Sequence, residues 1–169
     1  MQPLVTITSD LPLLIQLFNE APEIAEEETV ATLWEALLLL EREVADRTPV
    51  GVGGAAGLKG SIFASRPEVT DTAVVGLVSS SMAHALPVEL GTKPHFPPIT
   101  PLRDWAEKKL GIDPGESKHV AFAIARKIAR EGTKGAAMFQ KAMQENEEQV
   151  LAMMENVVPR IMARMENEY

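Results

Sequence analysis

The sequence predicts an α+β fold, in which a small antiparallel or mixed sheet lies between a long N-terminal helix and several C-terminal helices. Apolar residues recur at three- and four-residue steps from residue 22 to residue 46, which is the spacing of an amphipathic helix. Two stretches rich in β-branched residues follow, and helical spacing returns after residue 103. The strands are therefore expected between the helices.

One domain is expected for a chain of this length. The 169 residues are enough for one hydrophobic core and short for two. We predict a single domain over residues 1–169, with an N-terminal helical arm (1–21), a core (22–158) and a C-terminal helical tail (159–169).

The composition excludes several classes of function. The chain has no cysteine, so it can form neither a disulfide framework nor a thiolate metal site. Its formal net charge of −8 disfavours a general affinity for nucleic-acid phosphates. No stretch approaches the roughly 18 apolar residues of a membrane span, and the N-terminus lacks a secretion signal. We expect a protein that is made in the cytoplasm and has no membrane partner.

Two helices are expected in the N-terminal part of the chain. Asp10 is placed to cap a short helix through Phe18, and Pro22 interrupts that helix because it lacks a backbone donor. In the longer helix, residues 22–46, apolar side chains alternate with glutamates, so one face packs and the other is acidic. The glycine-rich residues 48–57 then form a loop.

The strand candidates come next. Residues 58–65 and 72–79 predict a hairpin or two neighbouring strands. Residues 84–92 suggest a short piece that is extended or partly helical. The prolines between residues 94 and 101 exclude regular hydrogen-bonded structure there.

The remaining residues predict helices. Residues 103–110 and 117–131 have helical spacing, and Gly111 and Gly132 stand where glycine commonly ends a helix. Thr133 is placed to cap the last helix.

An apolar stripe with several methionines runs along that last helix. Its members follow three- and four-residue steps, with one asparagine among them: Phe139, Met143, Asn146, Val150, Met154, Val157, Ile161 and Met165. Pro159 is expected to kink the helix. The stripe is either part of this domain's core, with methionines filling gaps, or a docking arm. In the second interpretation, Met154, Ile161 and Met165 find no partner in so small a domain and pack on another subunit.

Patterns for catalysis or metal binding are weak. His84, His95 and His119 lie far apart, without the spacing of a zinc site. Residues 51–56 match a dinucleotide-binding pattern, but a helix precedes them and a strand follows, which is the reverse of the required order. We expect no catalytic residue, cofactor or metal. A small hydrolytic enzyme is a weaker alternative that needs a deep pocket with at least two of His84, Glu89 and His95.

The proline-rich segment is the most informative stretch. Glu89 beside Gly91, which is free to adopt a positive φ, predicts a rigid corner. Prolines then restrict the backbone before any partner binds: Pro94, Pro97, Pro98 and Pro101. His95 and Phe96 would form the tip of a projecting loop. The alternative is that Phe96 fills this protein's own core.

Charge is unevenly distributed along the chain. Between Arg103 and Lys134, eight lysines and arginines face five aspartates and glutamates, whereas the rest of the chain is acidic. This bias is either a solvated helical face or a contact with the acidic N-terminal helix of a neighbouring subunit.

These motifs together resemble tail components of long-tailed bacteriophages. The stretch "HALPVELGTKPHFPP" resembles a segment of that family, with matching positions at Ala85 or Ala83, Glu89, Gly91, Thr92, Pro97 and Pro98. "TPVGVGGAAGLKGSI" resembles the family's entry to the sheet at Thr48, Pro49, Val50, Gly57, Leu58 and Ser61. The closing helical region matches at Gly132, Thr133 and Phe139. The resemblance covers roughly residues 22–155.

The resemblance implies a structural virion protein of the neck or upper tail, acting in tail completion, tail termination or head-tail joining. It implies a ring, expected to be a hexamer, that contacts neighbouring neck and tail-tube proteins while DNA passes through its channel. Acidic helices would face the channel or solvent. The alternative is a cytoplasmic assembly chaperone or adaptor that is absent from the finished particle. The candidate interface residues are Glu89, Gly91, Thr92, Pro94, His95, Phe96, Pro97, Pro98, Met154, Ile161 and Met165.

Overall fold

The structure, a computed structural model, describes residues 19, 21–52, 54 and 57–168. In this part of the chain the helices are α1 (Pro22–Arg47), α2 (Ala85–Leu90), α3 (Ile99–Leu110), α4 (Pro114–Glu131), α5 (Met138–Glu155) and α6 (Val157–Glu168). The strands are β1 (Ile62–Ala64), β2 (Glu68–Val69), β3 (Val74–Val75), β4 (Val78–Ser80), β5 (Gly91–Thr92) and β6 (Thr133–Lys134). The predicted α+β fold is confirmed. The helix expected from Asp10 to Phe18, and most of the arm 1–21, lie outside the described residues.

The chain divides into two compact units. The first unit comprises Met1–Val44, Ile62–Ser79 and Phe139–Tyr169, and the second comprises Ala45–Ser61 and Ser80–Met138. The first has five lysines and arginines against 17 aspartates and glutamates, a formal charge of −12. The second has 11 against seven, a formal charge of +4. The acidity of the whole chain therefore belongs to the first unit.

Helix α1 forms the centre of the first unit. Pro22 is its first residue, where the missing N–H has no intrahelical partner to lose. Its buried face follows the predicted periodicity and packs on residues of α5 and α6: Ile24, Ala25, Leu33 and Leu37 against Met154, Val157, Val158 and Ile161. A second cluster joins Ala36 and Leu40 to Val150.

This packing decides between the two interpretations of the methionine stripe. Ile161 is fully buried, Met154 is buried and Met165 is half-buried against the same cluster. The expectation that the distal stripe lacks a partner in its own domain is wrong, because α1 supplies one. Ile161 and Met165 therefore pack within the first unit, which includes residues 159–168.

The long last helix is divided near its proline. Helix α5 ends at Glu155, and α6 begins at Val157. Pro159 cannot donate to the carbonyl of Glu155 four residues earlier, which explains the interruption of the helical hydrogen bonds. The helix is therefore interrupted at Asn156, less than one turn before the proline at which the kink was predicted.

Ion pairs join α6 to the acidic face of α1. The Arg160 guanidinium contacts Glu28 at 3.0 Å and Glu35 at 3.1 Å. Arg164 contacts Glu28 at 3.2 Å. The hydrogen bond with Glu35 holds the pKa of Arg160 above its ordinary value. Part of the acidic face of α1 is therefore neutralised within the unit.

The predicted strands form an antiparallel hairpin, but they are shorter than expected. Strand β1 pairs with β4, and β2 pairs with β3 with Glu68 opposite Val75. Residues 59–61 form a 3₁₀ turn, and β2 lies between the two stretches that were predicted as strands. Pro67 lies where the ladder is interrupted, since it has no N–H to donate.

The second unit contains α2, α3 and α4. Helix α3 begins at Ile99, earlier than the expected residue 103, because a proline such as Pro101 is tolerated in the first helical turn. Helix α4 begins at Pro114 because the Asp113 carboxylate accepts a hydrogen bond from the Gly115 N–H at 2.8 Å. Gly111 and Gly132 end these helices as predicted.

Small residues let α3 and α4 pack closely. The residues buried on them are Ala106, Ser117, Ala121 and Ala125. The Ser117 hydroxyl donates to Glu107 Oε1 at 2.7 Å, so a polar contact also joins the two helices. This packing brings the helix backbones near each other and leaves the larger residues of α4 facing outward.

Candidate interaction surface

Two copies of the tripeptide Gly-Thr-Lys pair with each other in the second unit. Residues 91–93 follow α2 and residues 132–134 follow α4, and we call the paired segments the clasp. Strands β5 and β6 within them are antiparallel, with Thr92 opposite Thr133. The two threonine hydroxyls hydrogen-bond each other with an oxygen-oxygen distance of 3.0 Å. The expectation that Thr133 caps the last helix is therefore wrong.

The clasp requires glycine at its first positions. Gly91 and Gly132 have φ of 78° and 73°, in the region that favours glycine. A Cβ on Gly91 would overlap the Thr133 carbonyl oxygen, and a Cβ on Gly132 would overlap that of Thr92. The backbones of the two halves are therefore in direct contact, and each half requires glycine for the same steric reason.

Further bonds tie α2 to the segment that follows the clasp. The Ala136 N–H donates to the Val88 carbonyl at 2.8 Å, and the Ala137 N–H donates to the Glu89 carbonyl at 3.0 Å. Glu89 is buried. The chain turns at Gly91 with a positive φ, and the Glu89 backbone carbonyl is one of the groups that hold this corner.

The proline loop, residues 93–98, leaves the clasp and lies against α4. The His95 N–H donates to the Ile128 carbonyl at 3.4 Å, and His95 Nδ1 lies 2.9 Å from the Lys93 carbonyl oxygen. The rings of Phe96 and Phe122 meet edge to face, with centroids 5.9 Å apart. The loop and α4 therefore form one continuous surface.

Most of the proline loop is solvent-exposed. Phe96 is 55% exposed, so it does not fill the core of its own unit. Pro94, His95 and Pro98 are exposed as well, and Pro97 is half-buried. A large aromatic side chain held at the surface by a restricted backbone is typical of a binding surface.

The outward face of α4 continues this surface. Exposed residues follow a four-residue step along it: Lys118, Phe122, Arg126 and Arg130. Phe122 is 49% exposed. Three cationic side chains therefore lie around an aromatic residue on one face of α4.

A cleft of about 330 Å³ opens beside the clasp. Its lining is mainly apolar with a few polar groups: Pro49, His84, Pro87, Val88, Thr92, Thr133, Lys134 and Ala136. Of the three residues considered for hydrolysis, His84 alone lines it, while Glu89 and His95 lie elsewhere. Among the described residues, no group of three or more histidines, aspartates and glutamates is arranged to hold a metal ion.

The clasp was not predicted, although the sequence contains its signal. The tripeptide of residues 91–93 recurs at residues 132–134, each time directly after a helix. Each copy was interpreted alone, one as a corner and the other as a helix end with a cap. Only the antiparallel pairing of the two copies shows that they form a single structural element.

Comparisons with known proteins identify no relative. No protein family, curated protein or solved structure matches this chain. Within the part of the chain that the structure describes, no helix combines the length and the apolar character needed to cross a membrane. The proline loop and the exposed face of α4 are therefore the features from which a function is argued.

Proposed function

We propose that this protein is a structural component of the neck or upper tail of a long-tailed bacteriophage. It acts in tail completion, tail termination or head-tail joining, as a ring of about six copies. Neighbouring neck and tail-tube proteins are its partners. The observation that carries the proposal is that the segment resembling the phage family also presents the exposed aromatic surface of the second unit.

The geometry of this surface supports assembly by docking. Phe96 and Phe122 supply an apolar centre, and Lys118 and Arg126 surround it with cationic groups. Aromatic residues and arginine are enriched at the energetic centres of protein interfaces. Because the clasp and the prolines order the loop in advance, little conformational entropy is lost on binding.

The charge of the first unit suits a particle through which DNA passes. Its formal charge of −12 repels phosphate, so an acidic surface at the channel or in solvent does not retain DNA. The protein thereby contacts DNA only in passage and binds no particular sequence.

The first test is the composition of the finished particle. We expect mass spectrometry of gradient-purified particles to detect this chain at about six copies, in a fixed ratio to the tail-tube protein. Presence in the lysate but absence from purified particles would overturn the virion role and indicate the assembly chaperone or adaptor instead.

A complementation experiment links the role to the surface. A phage that lacks this chain is supplied with the Phe96→Ala/Phe122→Ala variant, and we expect the yield of joined particles to fall at least tenfold. The matched control is Phe63→Ala in the first unit, which removes an aromatic side chain of similar exposure (44%) outside this surface. Equal yields from both variants would contradict the assignment of the surface.

A further inference from the structure

Two exposed helix faces carry the same pattern with opposite charge. On α4, Phe122 lies between Lys118 four residues before it and Arg126 four residues after it. On α5, Leu151 lies between Glu147 and Glu155 at the same two steps. The first pattern is cation, apolar centre, cation, and the second is anion, apolar centre, anion.

The two faces match in geometry as well as in sequence. Both helices have 18 residues. A four-residue step advances about 6 Å along a helix and rotates by about 40°, so on each face the outer charges lie about 12 Å apart along the axis and flank the apolar residue on either side. Phe122 and Leu151 are each 49% exposed. When the apolar centres meet, each cation therefore lies opposite an anion.

The charged residues on both faces are available for such a contact. Within the described part of the chain, Lys118, Arg126, Glu147 and Glu155 make no ion pair, and all four are exposed. The acidic face of α1 differs from the face on α5, because Arg160 and Arg164 already neutralise part of it. The face on α5 combines an exposed large apolar residue with the carboxylates of Glu147 and Glu155 on either side of it.

We propose that α4 of one copy docks on α5 of the next copy, with Phe122 against Leu151. This inference rests on the proposed assembly function and names its contact surface. The two faces belong to different segments of the chain, so each copy offers both and the contact is head to tail, which closes a ring or extends a filament. The apolar centres supply affinity, and the flanking charges fix the register of the two helices. Because like charges repel, the same charges prevent α4 from docking on α4, or α5 on α5.

Duplex DNA is the other acidic partner that a basic face can bind. The exposed rings of Phe96 and Phe122 at its centre favour a protein surface, since nonspecific DNA binding depends on contacts from cations to phosphates. The −12 charge of the first unit also opposes the approach of a duplex.

Charge reversal tests the contact. We compare the native chain with Lys118→Glu/Arg126→Glu and with Glu147→Lys/Glu155→Lys by light scattering and sedimentation from micromolar to millimolar concentration, at about 50 mM salt. We expect the native chain to self-associate and each variant alone to associate at least tenfold more weakly. An equimolar mixture of the two variants should regain association, because each then meets a complementary face. Lys108→Glu/Lys109→Glu on α3 is the control with the same change in charge, and circular dichroism confirms that each variant is folded.

The outcomes separate this inference from the proposed function. A native chain that stays monomeric at every concentration, or association that neither reversal weakens, overturns the docking of α4 on α5. Binding of a labelled duplex of roughly 30 base pairs that Lys118→Glu/Arg126→Glu abolishes, without any self-association, assigns the face to nucleic acid and overturns it too. If the chain self-associates equally in all variants and is also present in particles, the docking of α4 on α5 is rejected but the virion role is kept. If the chain is absent from particles, the virion role is rejected, but the mixing experiment still tests the docking of α4 on α5.

Discussion

The two units achieve close packing by different means. In the first unit the largest fully buried side chains are branched, namely Val150, Val157 and Ile161, and alanines such as Ala25 and Ala36 pack among them. In the second, α3 and α4 meet through alanines and a serine, and the clasp joins backbone to backbone through glycines. The first unit is therefore stabilised mainly by buried apolar area, and the second by the close approach of main chains. Removal of a buried methyl group should therefore lower the free energy of unfolding most in the first unit. Addition of a methyl group should lower it most in the second unit.

The difference extends to the surface. Large residues of the second unit that its tight helix pair does not bury, among them Phe122 and Leu110, remain exposed on its outside. The first unit also exposes large residues, among them Phe63, Leu151 and Met162, but its charged residues are mainly carboxylates, whereas the second unit has an excess of cations. Each unit also contains one tryptophan, Trp34 in the first and Trp105 in the second. Fluorescence of the Trp34→Phe and Trp105→Phe variants therefore reports on the unfolding of each unit separately.

The largest effect is expected from a cavity in the first unit. Ile161→Ala removes a fully buried side chain from the cluster between α1 and α6, which should lower the free energy of unfolding by about 4 kcal/mol. Urea denaturation followed through Trp34 measures the change. Met162→Ala, next to it but 47% exposed, should change stability by less than about 1 kcal/mol. A similar loss for both variants would contradict the description of the core.

A smaller effect is expected from an added methyl group in the second unit. Gly132→Ala places a Cβ on the Thr92 carbonyl at a positive φ, and it should cost about 3 kcal/mol, observed through Trp105. Gly111→Ala is the matched control, because Gly111 has a similar φ of 65° but no atom within 4 Å of the added Cβ. It should cost only about 1 kcal/mol. Equal costs would show that conformation alone, and not the close contact of the clasp, requires glycine.

The hydroxyl pair of the clasp should contribute less. Thr92→Val keeps the branched shape and removes the hydrogen bond to Thr133, so we expect a loss of about 1 kcal/mol in urea denaturation followed through Trp105. The Thr92→Val/Thr133→Val double variant should lose little more than the single variant, because the one bond is already gone. Losses that simply add would mean that the two hydroxyls act independently.

The smallest effect is expected from the ion pairs of the first unit. Arg160→Met should cost about 0.5 kcal/mol at low salt and less at high salt, because Arg160 and Glu35 are partly exposed. Since the pKa of Arg160 is raised, its contribution is complete below the ordinary arginine pKa and is lost only above it. Stability differences between native chain and variant should therefore stay constant from neutral pH to moderately alkaline pH. A decline in that range would indicate another titrating group.

Local signals in the sequence predicted several elements correctly. The buried face of α1 follows from its apolar spacing, and the ends of α3 and α4 follow from glycines that adopt positive φ more readily than other residues. The projecting proline loop was predicted as a candidate interface, and its exposure is consistent with that.

The failures share a physical cause, which is dependence on a partner far away in the sequence. Thr133 was expected to be a helix cap because its strand partner, Thr92, lies about forty residues earlier. A docking role for the stripe with Met154 and Ile161 stayed open beside a core role because its partner helix, α1, lies more than a hundred residues before it. The start of α3 was placed too late for a different reason. In the sequence, a proline that is tolerated in the first helical turn cannot be distinguished from a proline that breaks a helix.

The interleaving of the two units constrains the order in which the chain folds during its synthesis. The second unit is complete once Met138 has been made, but α1 still awaits the residues of α5 and α6 that cover it. Roughly ninety residues separate the end of α1 from the start of α5, so at about 5–20 residues per second α1 waits roughly 5–20 s on the ribosome. The hairpin, which brings Gly76 against Leu37, arrives earlier and provides partial cover. The glutamates of α1 then keep a nascent amphipathic helix in solution until its permanent partners emerge.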